Sequence, residues 1–135
     1  MPASLRLGAL FLGASVFAAA IGITGVYWQD DRQARTRAET MTQGNADAGK
    51  AAIDRFGCVA CHRIPGIKSG AGSVGPSLQR FATRSVIAGR LSNEPANLVL
   101  WLQEPQRIAP GSAMPDLGLE PAQARDIAAY LYTLR

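Results

Sequence analysis

Cys58 and Cys61 flank two residues, and His62 follows at once. Two thiols at this spacing can each add across one of the two vinyl groups of a single porphyrin. The same linkage brings the imidazole beneath the iron, and the run Cys-x-x-Cys-His reads as a c-type haem attachment site. These are the only two cysteines and the only histidine of the 135-residue chain, so no competing framework of disulfides or ligands can be drawn. A closed zinc site wants four ligands where this cluster offers three. A thioredoxin-like redox pair needs strand-helix-strand surroundings, which the hydrophobic pattern does not supply. The expectation is one covalent haem c, held by Cys58 and Cys61, with His62 as an iron ligand.

A second iron ligand must come from elsewhere in the chain. Of three methionines, Met1 is the initiator and Met41 lies in a polar stretch, which leaves Met114 in Pro110-Gly111-Ser112-Ala113-Met114-Pro115. Two prolines and a glycine stiffen the loop that would present its sulfur. A buried methionine is ordinarily core filling, and Lys50, Lys68 or an open position are the alternatives. A His–Met pair raises the potential relative to two histidines.

The elements that must carry these groups read as helices. Ala46 to Phe56 has Ala52, Ile53 and Phe56 on one face and ends at Gly57. Ser92 to Glu104 has Asn93 as its cap, Pro95 in the first turn and Pro105 as its stop, with Leu98, Trp101 and Leu102 facing inward. Pro121 opens a last helix with a face of Ile127, Tyr130, Leu131 and Leu134. The span from Gly66 to Gly75 reads as loop. No stretch alternates as a strand does, and the fold class is all-α, without internal repeats or low-complexity tracts.

Leu7 to Trp28 is 22 residues without a charge, about 33 Å as a helix and enough to cross a bilayer. Tyr27 and Trp28 suit the membrane interface at its end. The competing reading is a signal peptide cleaved near Ala18-Ala19-Ala20, but the apolar run continues through Ile21, Ile23 and Val26. The domain expectation is therefore an anchor over 1–28, a polar linker over 29–44 (helical stalk or loose tether) and a haem domain over 45–135. Lys and Arg counts around the anchor mildly favour the opposite orientation. Haem attachment outside the cytoplasm overrides them and puts the domain in the periplasm of a bacterial cytoplasmic membrane. The net charge is +4. From Asp47 onward ten Lys or Arg face seven Asp or Glu, a net +3 that two haem propionates would reduce to about +1. No basic stripe of the kind nucleic acid requires is present.

Beyond the attachment signature, Gly75-Pro76-Ser77-Leu78 and Met114 resemble the class I cytochrome c family. The resemblance implies that fold, a small helical domain around one haem. It implies that the Pro76 carbonyl accepts the Nδ1 proton of His62, that Leu78 lies against the porphyrin and that Arg84 sits near a propionate. It also places Trp101 beside the methionine, and Gly49, Ile53, Phe56 and Tyr130 where the first and last helices cross. The run Pro95-x-Asn97-Leu98-x-x-Trp101-Leu102-x-x-Pro105-Gln106-x-Ile108-x-Pro110-Gly111-x-x-Met114-Pro115 is similar to the haem domain fused to subunit II of caa-type cytochrome c oxidases. That subunit's two-helix anchor and dicopper domain have no counterpart here. Many family members carry a Trp where this chain has Asn93, which leaves Asn93 to donate to a propionate or only to cap its helix.

The resemblance implies an electron carrier rather than an enzyme, a membrane-anchored monohaem cytochrome taking electrons from a donor such as a cytochrome bc complex and passing them to a terminal oxidase. A haem-bearing subunit of a membrane dehydrogenase is the alternative within this class. A haem enzyme or sensor with a displaceable Met114 would lack a second histidine for acid–base work. An assembly factor carrying haem structurally has no residue in its favour.

Overall fold

The structure, a computed structural model, describes residues 3–68 and 72–135. It divides into two compact units, one ending at Gln33 and one spanning Ala34–Arg135.

The first unit is formed by most of helix α1 (Ala3–Thr42). The helix has no polar face over its apolar length, so its pattern marks no one side for packing on a protein core. Leu10, Phe11, Val16, Phe17, Ile21 and Trp28 are all exposed. Its hydroxyls turn back on the helix: Ser15 donates to the Phe11 carbonyl at 2.9 Å and Thr24 to that of Ala20 at 2.8 Å, so neither is left unsatisfied. By length and composition, one helix among the described residues, Leu10–Thr42, can cross a membrane.

In the second unit the end of α1 is packed. Ala34, Ala38 and Thr42 are buried, and the polar stretch is helical through Thr42. Glu39 Oε1 accepts the Ala46 N–H at 3.0 Å, and Arg35 pairs with Asp47. Helix α2 (Ala46–Arg55) starts at Asn45, whose side chain accepts the Ala48 N–H at 2.9 Å. This supplies one of the acceptors that a helix start lacks. Gly57, with φ +69°, follows its last turn in the left-handed conformation that favours glycine. Helix α5 (Pro121–Thr133) begins on a proline, where the missing N–H is not needed. Helices α2 and α5 cross closely. A Cβ on Gly49 would collide with the Asp126 carbonyl, and the contact buries Ile53, Ile127 and Leu131 in one core with Leu98 and Phe81.

Helix α3 spans Pro95–Gln103, with Glu94 as the N-cap. The cap expected at Asn93 is thus displaced by one residue, and the helix starts three residues later than periodicity suggests. Ser92 is taken by a small hairpin, and Pro95 fits the first helical position. Pro105 ends α3 and opens the one-turn helix α4 (Pro105–Ile108). The hairpin pairs β1 (Val86–Ile87) with β2 (Leu91–Ser92). At two residues per strand, alternation has no room to register in the sequence. The fold is all-α in every other described element. The central residues 69–71 of the span read as loop lie outside the described residues.

Candidate functional site

Helix α2 delivers the chain into a short 3-10 turn, Cys58–Ala60, through the left-handed Gly57. The turn is closed by Cys61 N–H to Cys58 O at 3.3 Å and His62 N–H to Cys58 O at 2.9 Å. Cys58 and Cys61 form no disulfide with each other, and both are half-buried. Burial pushes the Cys58 thiol pKa up. Among the described residues no group of three or more His, Cys, Asp or Glu converges as a metal cluster would.

His62 is fixed from the far side. Its Nδ1 lies 2.8 Å from the Pro76 carbonyl oxygen. A carbonyl only accepts, so Nδ1 carries the proton and the Nε2 lone pair is left as the donor to a metal. The loop that supplies Pro76 is held by Gly75 N–H to Cys61 O at 2.9 Å and Leu78 N–H to Arg63 O at 2.8 Å. Its glycines are required by space. A Cβ on Gly75 would lie 2.5 Å from His62 Cε1, and one on Gly72 would lie 2.7 Å from Val59 O. Tyr130 donates to the Pro65 carbonyl at 2.7 Å and ties the same loop to α5.

These groups open onto a cavity of about 540 Å³. Cys58, Cys61, His62, Pro76, Leu78, Arg84, Trp101 and Met114 all line it, whereas Lys50 and Lys68 do not. The remaining wall is mostly apolar, from Ile53, Phe81, Leu98, Ile127 and Leu131 among others. Among the described residues no carboxylate lines it, and Arg84 and Arg90 do. The donor set fits a haem: two thiols on one turn, an imidazole with its Nε2 pair available, a thioether in the same cavity, apolar walls for the macrocycle and guanidiniums for its carboxylates.

Arg84 is anchored rather than loose. It donates to the Ser77 and Gln79 carbonyls and lies over the Phe81 ring, 5.6 Å from the centroid. A guanidinium has five N–H donors, so these bonds do not exhaust it. Asn93 is used up differently. Its amide nitrogen donates to Phe81 O at 3.0 Å and Arg84 O at 2.9 Å, and its oxygen accepts the Tyr132 hydroxyl at 2.9 Å. Asn93 therefore neither caps α3 nor has an amide proton left for a propionate.

Sequence reasoning gave no role to Arg90, Gly72 or Gln106. Arg90 reaches the cavity through the hairpin turn, where Ala88 and Gly89 have φ of 50° and 68°. Gln106 bonds to the loop carrying Met114. No sequence signal marked Gln106, because its partners Gly111, Ser112 and Met114 lie five to eight residues on, beyond any helical period.

Residues 46–135 match the family model for cytochrome c. The chain is 34% identical over 100 residues to a protein named cytochrome c oxidase subunit 2 from Alkalihalophilus pseudofirmus. The aligned segment covers 72% of this chain and 28% of that relative. No solved structure gives a significant match.

Proposed function

Since the chain belongs to the cytochrome c family, we propose that it is a membrane-anchored monohaem electron carrier of a respiratory chain, with its haem domain in the periplasm, passing electrons to or within a terminal cytochrome oxidase. Haem, when bound, supplies a one-electron ferric/ferrous couple. Cys58 and Cys61 would hold it through two thioether links. His62, through Nε2, and Met114, through its sulfur, would hold its iron.

This chain's residues prepare that couple in three ways. The Pro76 carbonyl orients the imidazole and raises its basicity. Apolar walls from Ile53, Leu78, Leu98 and Trp101 exclude water and hold the surroundings nearly fixed between oxidation states. Arg84, with Arg90 nearby, faces the carboxylates the cavity must accept. The apolar helix confines the carrier to its partners' membrane, which raises their effective concentration more than a nearly neutral domain could by charge. The oxidase link rests on the name of the relative matched over the haem domain.

One observation carries the reading: the two thiols, the Nδ1-protonated imidazole and the Met114 thioether line a single apolar cavity. The test is the ferric spectrum of the full chain matured with haem. A weak red absorption band from sulfur–iron ligation is expected. Met114→Ala keeps the covalent haem but loses this band and lowers the midpoint potential. An unchanged spectrum and potential contradict the assignment. Oxidation of the reduced protein by a purified terminal oxidase at a turnover-competent rate tests the acceptor, and failure to exchange electrons sinks it.

A further inference from the structure

The loop from Ala109 to Pro115 has few backbone bonds of its own. Pro110 and Pro115 carry no N–H, and the bonds within the loop are Ser112 N–H to Ala109 O at 3.0 Å and Met114 N–H to Ser112 Oγ at 3.2 Å. Ala109 N–H is held by Pro105 O at 2.9 Å, and beyond it the hydrogen bonds to residues 111–114 from outside the loop converge on one side chain. Gln106 Oε1 accepts the Gly111 N–H at 3.2 Å, and Nε2 donates to Ser112 O at 2.7 Å and Met114 O at 2.6 Å. Both amide protons are thereby spent on the loop. Gln106 is itself fixed: it sits half-buried in the one-turn α4, its N–H donating to Asp116 Oδ1 at 3.2 Å.

We propose that Gln106 is a positioning residue that holds Met114 at the cavity and so sets how readily the sulfur gives way to another ligand. The proposal rests on the reading of Met114 as an axial ligand. Release of the sulfur requires the loop to swing, and the three side-chain bonds must break for residues 111–114 to move together. Their loss raises the population of the sulfur-off form roughly tenfold or more, since each bond has a modest net worth but all three act on one segment.

The probe is imidazole, titrated into the ferric full-length holoprotein in detergent. Gln106→Met keeps the volume and removes all three bonds. It is expected to bind imidazole roughly tenfold more tightly than the wild type and to show a weakened sulfur–iron band. Asn45→Ala removes the α2 cap, away from the cavity. It is expected to lower unfolding stability and leave imidazole affinity unchanged, separating positioning from general loosening. If Gln106→Met does not accumulate, Gln106→Glu replaces it, keeping the Gly111 acceptor and losing the amide donations, with the same direction expected. Imidazole affinity equal to wild type in the Gln106 variant, or an equal shift in Asn45→Ala, overturns the proposal while leaving Met114 ligation standing. A wild type with no sulfur–iron band, whose imidazole affinity Met114→Ala does not change, sinks the ligation reading itself, and the clamp with it.

Discussion

The imidazole of His62 has its place because residue 75 has no side chain. A Cβ there would stand 2.5 Å from Cε1 and 2.6 Å from Nδ1, well inside contact distance. Gly75→Ala must therefore push the ring off the Pro76 carbonyl. With the proton acceptor lost, the ring is a weaker donor and ferric iron is less stabilised. The expected outcome is a lower yield of holoprotein and, in what accumulates, an upward shift of the midpoint potential measured by redox titration. An unshifted midpoint contradicts the role of the Pro76 bond. Tyr132 offers a second test at this scale. Burial chiefly, with Glu94 nearby, pushes its phenol up to about 12. A folded-state pKa above the unfolded value of about 10 means the contribution is present below pH 10 and lost as pH rises toward 12. Tyr132→Phe, which also removes the Asn93 bond, should cost about 1 kcal/mol at neutral pH and make the alkaline fall in unfolding stability shallower. An equally steep fall in the variant counts against it. The chemistry of Cys58, Cys61 and His62 was legible in the sequence because the attachment motif is local. The task of Asn93 was not, since its Tyr132 partner lies 39 positions away and propensity marks Asn simply as a cap residue.

Among the elements, the crossing of α2 and α5 is the joint on which the haem domain is built. Gly49 lets the backbones approach so closely that even a methyl would strike the Asp126 carbonyl. Gly49→Ala should therefore destabilise by about 2 kcal/mol or more, as overpacked backbone contacts do, read from the denaturant midpoint. A neutral result would mean that the helices can part without cost. The Arg35–Asp47 pair joins the packed end of α1 to α2, and the Arg35 hydrogen bond holds the Asp47 carboxyl below its usual range. A depressed carboxyl contributes stability above its unfolded pKa, about 3.9, and loses it as pH falls through the lower folded value. Both partners are substantially exposed, so Asp47→Asn should change neutral-pH stability little and flatten the acid limb below about pH 4. The acid limb unchanged in Asp47→Asn would contradict the pairing. Helices α2, α3 and α5 were legible because apolar residues recur at helical spacing along them. The β1–β2 hairpin and the one-turn α4 were not, because two to four residues are too few for any period to show.

For the whole molecule, the cavity of about 540 Å³ is large relative to a domain of this size. Its walls include Ile53, Phe81, Leu98, Ile127 and Leu131, the residues that would otherwise close the core. A small domain buries a modest fraction of its surface, so without a macrocycle the remaining contacts cannot hold the helices tightly. The apoprotein is expected to lose most of its cooperative unfolding transition in circular dichroism, and an apoprotein as cooperative as the holoprotein would contradict this. The sequence already implied such a filler, through the attachment motif beside a short domain. Several wall residues, Leu78, Arg84 and Trp101 among them, were also legible, but Arg90 and Val86 were not, because they reach the cavity from a hairpin with no sequence signature. The most direct measurement is the intact mass of the full chain after denaturation, from cells able to attach haem outside the cytoplasm. The increment of one haem, persisting through denaturation and absent when Cys58 and Cys61 are both replaced by Ala, is the predicted result. A denatured polypeptide of bare mass would contradict the account at its foundation.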